Sequence, residues 1–418
     1  MTTTTPAQFE ATESVFVARQ PIMDGNMRTW GYELLFRQNA ESDTAVITDG
    51  NAATSQVIVD GYNMAREWLR NGQKILINYP TDMLIQGAPR VLPPEVAVVE
   101  ILETVDITPE LVDACAELKS EGYVLALDDY IGTPGFEPLL DLVDLVKVDV
   151  LGIPRLRLGM ILRSLERHRC TLLAERVEDM GTFHMGRGLG CDLFQGFFFS
   201  RPELMAGKKL SANERSKLQL LQELGSSDLD LARISKIIQT DLSLSYRLLR
   251  YINSPGVGLR HEVKSIAQAV NLLGQRKISA WLRVLILADM NPSPRTHELL
   301  FFSLQRARFY ELMALSRNGD ILPADSMFLF GLLSFLDAIL ARPMETIVPG
   351  LALEPRLTNA LLGQDEGLHP WMELSQACEC GKWAQADDIL VRMGVSPRDT
   401  AKHFNAATLW ARKFLDMT

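Results

Sequence analysis

The sequence contains no long hydrophobic run. No stretch of about eighteen uncharged apolar residues occurs along the chain, so we expect no membrane span. The N-terminus lacks a basic region followed by an apolar run, which argues against a secretion signal. We interpret residues 1–14 as a short disordered leader. These absences predict a soluble, cytoplasmic protein.

Positive charge is also scarce. The 42 lysines and arginines are outnumbered by 52 aspartates and glutamates, which gives a net charge of −10 at pH 7. General binding to nucleic acid or to anionic membranes needs an excess of Lys and Arg to meet phosphates, so we expect no nucleic-acid partner. One local cluster of basic residues is either a solvent-exposed helix face or a small nucleic-acid site, and the negative net charge of the chain favours the exposed face. Its members are Arg247, Arg250, Arg260 and Lys264.

Cysteine and histidine are too few and too scattered to predict a metal site of their own. The 5 cysteines are odd in number and mostly lie in apolar contexts, which favours free thiols of a reducing compartment. Cys378 and Cys380 are too closely spaced to make a zinc site alone. The 6 histidines include no adjacent His-Asp pair.

The hydrophobic residues follow two different patterns along the chain, and the change between them falls near residue 205. In the first half, apolar runs rich in Leu and β-branched residues alternate with amphipathic segments such as Pro109–Ser120 and Arg155–Arg167. This alternation predicts parallel strands with crossover helices, and so many short strands favour a closed, TIM-like α/β barrel over residues 15–205. The candidate strands are Val15–Ala18, Tyr32–Phe36, Lys74–Asn78, Val96–Ile101, Val124–Leu127, Leu145–Val148, Thr171–Ala174 and Leu193–Phe198.

Beyond a linker-like segment, Glu203–Asn213, the strand pattern disappears. The following segments carry apolar residues at helical spacing, and the breaks between them fall at Gly, Pro, Ser and Asn. We therefore expect an all-α domain over residues 206–418. The expected helices are Glu214–Leu224, Leu231–Gln239, Ser243–Tyr251, Ile266–Leu273, Ile278–Met290, Leu299–Arg317 and Ser326–Leu340.

Polar and acidic side chains occur at or directly after the apolar runs of the first half. In a barrel of parallel strands such positions meet at the C-terminal rim, where barrel active sites lie. Carboxylates gathered there need positive charge to stay ionised, and a pair of Mg²⁺ or Mn²⁺ ions suits oxygen ligands. For any single residue, a helix N-cap or a solvated loop is the simpler interpretation. The residues are Glu33, Asn78, Glu100, Asp128, Asp129, Lys147, Glu175 and Gln195.

Ordered blocks over residues 15–202 resemble the EAL domain, the cyclic-di-GMP phosphodiesterase family. The triplet that names the family reads Glu33-Leu34-Leu35 here, with Leu in place of the central Ala. The other blocks are Arg19-Gln-Pro-Ile-Met-Asp24, Ile77-Asn78, Glu100-Ile-Leu-Glu103, Leu127-Asp128-Asp129, Val146-Lys147-Val-Asp149, Ala174-Glu-Arg-Val-Glu178, Cys191-Asp-Leu-Phe-Gln-Gly196 and Ser200-Arg-Pro202.

The resemblance implies hydrolysis of cyclic-di-GMP to the linear dinucleotide and a role for each matching residue. Asp129 would lie close to a second ion, and Lys147 would polarise or position the attacking water. Arg37 would hold a substrate phosphate, and Gln195 would contact the metal–water network or the substrate. Glu103 would anchor the loop after Asp129. The implied metal ligands are Glu33, Asn78, Glu100, Asp128 and Glu175.

Three departures from the family pattern leave the activity open, and Leu34 in the triplet is one of them. The loop after Asp129 is one residue longer than usual and contains Pro134 and Pro138, which fix the backbone and remove donors. Arg176 replaces a small glycine, so a cation beside Glu175 would either compete for that carboxylate or the second metal, or bind phosphate. The alternatives are a metal-dependent phosphodiesterase and a catalytically inactive receptor or adaptor.

The second half resembles the HDOD domain, an all-helical relative of the HD phosphohydrolases, over roughly residues 206–400. The segments that carry the resemblance are Asp241–Ser254 and Ile266–Gly274. Those enzymes hold a metal with an adjacent His-Asp pair, but here Ser334-Phe335 stands in the expected place. We therefore expect no metal hydrolase in this half. The resemblance implies a regulatory module that contacts a protein partner, with a homodimer left open.

Overall fold

The computed structural model describes residues 16–37, 72–200, 231–240, 242–253, 263–290, 293–317, 322–351 and 353–417, with Tyr62, Leu69 and Leu224 as single positions. The expected leader and linker lie outside these residues, as does the expected helix before Leu224. None of the described helices is long and apolar enough to cross a membrane.

The first half is a closed barrel of eight strands, which confirms the expected architecture. The strands β2 to β8 run parallel to one another. Strand β1 closes the barrel and is antiparallel to both β2 and β8. The strands are β1 (Phe16–Asp24), β2 (Thr29–Arg37), β3 (Lys74–Tyr79), β4 (Ala97–Ile101), β5 (Val124–Leu127), β6 (Leu145–Asp149), β7 (Thr171–Glu175) and β8 (Leu193–Gln195). The helices between them are α1 (Thr81–Ile85), α2 (Pro109–Ser120), α3 (Glu137–Leu140), α4 (Arg155–Leu165) and α5 (Met180–Gly188).

The hairpin between β1 and β2 follows from local sequence chemistry. Asp24 Oδ1 accepts hydrogen bonds of 2.8 Å from the backbone N–H groups of Asn26 and Arg28, and Met27 takes a left-handed φ of 62°. An aspartate that bonds the backbone ahead of it closes a tight turn. Because this connection contains no helix, nothing between the two strands covers their outer face.

The second half is helical throughout its described residues, as expected. The segments Ile266–Leu273 and Ile278–Met290 form one helix that is interrupted at Gly274, where φ is 75° and ψ is 165°. The expected helix Ser326–Leu340 is instead broken at Ser334 and Phe335. The helices are α6 (Leu231–Thr240), α7 (Leu242–Ile252), α8 (Ile266–Met290), α9 (Pro294–Ser316), α10 (Ala324–Leu333), α11 (Leu336–Leu340), α12 (Met344–Ile347), α13 (Pro355–Leu361), α14 (His369–Glu379), α15 (Trp383–Met393) and α16 (Pro397–Met417).

The helical half packs directly against the barrel. Helices α14 and α16 contact β1, and α9 contacts the short turn that follows β8. The ring of Phe302 stacks on that of Phe199 with centroids 5.9 Å apart, and Arg295 Nε donates to the Phe199 carbonyl over 2.7 Å. The helices therefore bury the outer face of the β1 hairpin, the face that its tight connection leaves bare.

All five cysteines are free thiols, as their sequence contexts predict. Burial raises the pKa of Cys115 to about 11 and that of Cys191 to about 12. Burial is also the main reason why the pKa of Cys380 rises to about 12. Since the thiolate is the reactive form, these side chains act as packing groups.

Close packing of α10 on α9 makes Gly331 sensitive to substitution. A Cβ at Gly331 would lie 2.3 Å from the backbone nitrogen of Ala307. We expect Gly331→Ala to lower the free energy of unfolding by about 1–3 kcal/mol, because the helices must separate. In Gly159→Ala, the matched control on α4, the new methyl meets nothing within 4 Å, so stability should rise by about 0.5–1 kcal/mol. Urea unfolding measures both, and equal shifts would contradict the packing argument.

Candidate active site

A ring of apolar side chains fills the inside of the barrel and forms a floor. Each of these side chains is buried, and together they make a core separate from the larger core outside the strands. Side chains inside a small barrel fill it in layers, so this ring is solid packing and not a channel. We call it the apolar floor, and its members are Ile22, Leu76, Val98, Ala126, Leu145, Leu173 and Leu193.

The candidate site residues stand one layer above the apolar floor. Side chains along a strand alternate between its two faces, so a residue two positions further on points the same way. The pairs of floor and site residues are Leu76 and Asn78, Val98 and Glu100, Ala126 and Asp128, Leu145 and Lys147, Leu173 and Glu175, and Leu193 and Gln195. Glu33 completes the layer from β2. The strand period thus brings distant parts of the sequence to one place.

Lys147 lies at the centre of this layer and is 1% exposed. Its Nζ atom lies 3.4 Å from Glu33 Oε2 and 2.8 Å from both Asp128 Oδ1 and Glu175 Oε1. Nζ also forms a short contact with Glu100, which is fully buried. One ammonium therefore serves four carboxylates from four strands, and the group as a whole is acidic.

The protonation equilibria reflect this crowding. Burial raises the pKa of Glu100 and of Glu175, because a carboxylate is poorly solvated there, and Lys147 offsets only part of this effect. Burial alone lowers the pKa of Lys147, but the surrounding carboxylates outweigh it and hold that pKa well above its usual value. Lys147 is thus a fixed cation, and the cluster has an unmet demand for further positive charge.

Amide side chains frame Glu33. Asn78 Nδ2 donates to Glu33 Oε1 over 3.2 Å, and Gln195 Nε2 donates to Glu33 Oε2. Gln195 Nε2 also donates to Gln20 Oε1 over 2.9 Å. Sequence reasoning missed Gln20, although it lies inside the block Arg19–Asp24. Alternation along β1 was the available signal, since Gln20 pairs with Glu33 across the hairpin.

The donor set fits divalent cations. The atoms Asn78 Oδ1, Glu100 Oε2 and Gln195 Oε1 are buried, and none has a hydrogen-bond partner within the described part of the chain. Buried acceptors without donors are costly unless a ligand satisfies them. Next to them, carboxylate oxygens of Asp128, Asp129 and Glu175 lie within 4.8 Å of one another. All of these ligands are oxygens, which suits Mg²⁺ or Mn²⁺ better than zinc.

The chain turns sharply after Asp128 and exposes Asp129 at the rim. Asp129 takes a left-handed φ of 38°, and its backbone N–H donates to Asp128 Oδ1 over 3.0 Å. The next residue, Tyr130, donates its N–H to the Lys147 carbonyl over 3.0 Å. The ring of Tyr130 lies 6.2 Å from that of Phe136, so the longer loop packs on itself beside the site.

Arg176 does not pair with Glu175. Its Nη1 atom donates to Asp149 Oδ2 over 2.8 Å, and its side chain is 70% exposed. Asp149 also accepts from the backbone N–H groups of Leu151 and Gly152, which fixes the acceptor. The Arg176 side chain is therefore directed along the rim and away from the buried carboxylates. The backbone of Arg176 takes a left-handed φ of 55°.

The roles of two further predicted residues have no described contact behind them. Arg37 ends β2, but its side chain lies outside the described part of the structure. Glu103 follows β4 on an exposed turn, where it forms no hydrogen bond or ion pair with any described residue. The phosphate-binding role of Arg37 and the loop-anchoring role of Glu103 stay predictions.

The helical half has a buried cation next to Ser334 and Phe335, the two residues that stand in place of a His-Asp pair. The Arg306 guanidinium donates to both carboxylate oxygens of Glu379, over 2.7 and 2.6 Å. It also lies 4.0 Å from the centre of the Phe335 ring and 3.4 Å from Ser334 Oγ. In the described residues of this half, no group of His, Cys, Asp and Glu could hold a metal.

Comparisons with known proteins agree with this division. The model of the EAL domain matches residues 8–202, and that of the HDOD domain matches residues 214–339. The uncharacterized protein YuxH of Bacillus subtilis is 34% identical over 383 residues, which cover 90% of this chain and 93% of that protein. Cyclic di-GMP phosphodiesterase CdgJ of Vibrio cholerae is 33% identical over 402 residues, which cover 96% of this chain and 93% of that protein. The chain belongs to the family of proteins that join an EAL domain to an HDOD domain.

One solved structure with a similar barrel is a standalone EAL protein from Vibrio cholerae O395 in its c-di-GMP bound form. It is 24% identical, with a TM-score of 0.37, and the match covers 46% of this chain and 93% of that one.

The Lys147 cluster predicts a large stability effect. In Lys147→Met, four carboxylates lose the cation that they share, so we expect the free energy of unfolding in a metal chelator to fall by about 3–5 kcal/mol. Lys119 is the matched control, since it pairs with Asp144 at the surface. Lys119→Met should cost less than about 1 kcal/mol. Urea unfolding monitored by circular dichroism measures the two changes, and similar losses would contradict the assigned role of Lys147.

Proposed function

We propose that the protein is a metal-dependent phosphodiesterase that opens cyclic-di-GMP to the linear dinucleotide. The observation that carries the proposal is the cluster of Glu33, Glu100, Asp128 and Glu175 around Lys147, beside buried oxygens that have no donor among the described residues. The relative from Vibrio cholerae that is named as a cyclic di-GMP phosphodiesterase supports the choice of substrate.

In the proposed reaction, water attacks phosphorus, one P–O bond forms and the bond to the departing ribose oxygen breaks. Two Mg²⁺ or Mn²⁺ ions would be held by Glu33, Asn78, Glu100, Asp128 and Glu175, with Asp129 near the second, and would supply Lewis-acid activation and charge neutralisation. Lys147 contacts four of the carboxylates, and in this proposal it positions the attacking water and these carboxylates as a cation.

The chain's other polar groups bind and orient. Gln195 and Asn78 hold both oxygens of Glu33, which fixes the direction of that carboxylate. The proton of the attacking water passes to a carboxylate at the rim, where Asp129 is exposed and Asp128 and Glu175 are partly exposed, and the departing ribose oxygen takes up a proton from the solvent. Arg37 takes a substrate phosphate in this scheme, as the family pattern implies.

The altered rim supports a second candidate, a receptor that binds cyclic-di-GMP without turnover. Arg176 is exposed beside Glu175 and bound to Asp149, and it offers a cation to a phosphate at the rim. Asp129 and Arg176 both take left-handed backbone conformations. Such strain is stored where the surrounding structure imposes a particular arrangement. Ligand binding would then be the signal, and the helical half would pass it to a protein partner.

The basic residues of the helical half support a protein partner over nucleic acid. Arg247 Nη1 lies 3.3 Å from Asp289 Oδ1, and Arg250 Nη2 donates to the Asp416 carbonyl over 2.8 Å. The chain as a whole carries a net charge of −10, which disfavours the collection of nucleic-acid phosphates. We propose that this half is the regulatory module, a role for which a metal site is unnecessary.

A turnover assay tests the first candidate. Purified protein is incubated with cyclic-di-GMP and Mn²⁺, and the linear product is followed by chromatography. We expect Glu33→Gln and Asp128→Asn to lower kcat by about 100-fold or more, because each removes a charged oxygen from the reacting centre. Asp113→Asn, an exposed substitution on α2, should retain the kcat of the unsubstituted protein.

The outcomes separate the two candidates. Absence of linear product with saturable binding of the dinucleotide by calorimetry would contradict hydrolysis and support the receptor. Absence of both product and binding would overturn both candidates. Product formation that persists at full rate in Glu33→Gln would show that another site is responsible.

A further inference from the structure

Glu298 is a buried carboxylate at the boundary between the two halves. It lies on α9 of the helical half and is 3% exposed. All of its described partners belong to the barrel hairpin: it accepts from Tyr32 Oη over 2.7 Å and from Thr29 Oγ1 over 3.1 Å, and it lies 3.5 Å from Arg19 Nη2. A carboxylate held by three barrel side chains ties α9 to β1 and β2.

Arg19 and Tyr32 form a stack that includes the helical half. The Arg19 guanidinium lies 4.2 Å from the centre of the Tyr32 ring and 3.6 Å from that of Phe301 on α9. Burial, reinforced by Glu298 and opposed by Arg19, raises the pKa of Tyr32, so its hydroxyl remains a donor to Glu298. The contact is thus charged, buried and directional, unlike the aromatic packing around Phe199.

This contact is directly behind the candidate site. Across the hairpin, Gln20 pairs with Glu33 and Arg19 pairs with Leu34. Neighbouring residues on a strand point to opposite faces, so Arg19 and Tyr32 face the helices while Gln20 and Glu33 face the barrel interior. Any shift of Tyr32 or Arg19 is carried by one peptide unit to Glu33 or Gln20, which share the amide of Gln195.

We propose that Glu298 is a positioning residue through which the helical half sets the placement of Glu33 and Gln20 at the barrel site. The helical half then regulates the barrel by mechanical coupling across a two-stranded hairpin, and displacement of α9 weakens the site. The inference rests on the proposed function only where the experiment measures Mn²⁺ affinity or turnover. Hydrogen exchange reports on the placement of the hairpin without metal or substrate.

The experiment compares Glu298→Gln and Tyr32→Phe in the full chain with Arg295→Ala. Arg295 lies one turn before Glu298 on α9 and donates to the Phe199 carbonyl, so its variant removes a contact between α9 and the turn after β8 and leaves the three contacts of Glu298 in place. Hydrogen exchange followed by mass spectrometry measures the exchange rate of the hairpin, residues 16–37, and residues 171–195 of the barrel serve as the internal reference. Calorimetry follows Mn²⁺ affinity, and the turnover assay separates kcat from KM.

We expect Glu298→Gln and Tyr32→Phe each to speed exchange in residues 16–37 and to weaken Mn²⁺ binding about tenfold, as loss of an outer support of a metal ligand does. The double variant should be no worse than Glu298→Gln alone, because Tyr32→Phe removes one of the contacts that Glu298 makes. Arg295→Ala should leave Mn²⁺ affinity and hairpin exchange unchanged. In the turnover assay the loss should appear mainly in kcat.

Unchanged hairpin exchange in both Glu298→Gln and Tyr32→Phe would overturn the inference, as would an equal effect of Arg295→Ala, which would indicate docking in general. If the unsubstituted protein binds no Mn²⁺, the proposed function fails and the exchange data alone decide the coupling. If Glu298→Gln does not fold, Tyr32→Phe provides the same comparison from the barrel side.

Discussion

The buried ammonium of Lys147 is the interaction on which the barrel site depends. Four carboxylates from four strands approach one cation, and none of them would be tolerated at this depth without it. Because all of them stand one layer above the apolar floor, the packing that closes the barrel also gathers the charges. Stability and chemistry are therefore linked, and the excess of negative charge is what makes the site receptive to divalent cations.

The second constraint is the antiparallel first strand. A parallel strand order would place a crossover helix over β1, but the tight turn after Asp24 contains none. The helical half covers that face instead, with Phe302 against Phe199 and Glu298 against Tyr32. The two halves thus share a buried boundary behind the site, which gives the helical domain a physical route to the barrel site.

The helical half has a buried ion pair of its own at the break between α10 and α11. A bidentate Arg306–Glu379 pair lies where Ser334 and Phe335 interrupt the helices, and the Arg306 cation occupies space beside the Phe335 ring. A buried, fully paired cation repels a second one. This half is therefore suited to packing and contact, whereas the acidic barrel rim is suited to metal and phosphate chemistry.

Sequence alone determined the two-part architecture and nearly all of the site. Short apolar runs and the polar residues in or after them are local signals, so β5 and the clustered carboxylates Glu33, Glu100, Asp128 and Glu175 could be predicted. The tertiary structure decided what depends on contacts between distant segments. Gln20 joined the site through strand pairing, Arg176 turned to Asp149 and away from Glu175, and Glu298 met Tyr32 across 266 positions of sequence. No local pattern encodes such partners, because they are chosen by packing in three dimensions.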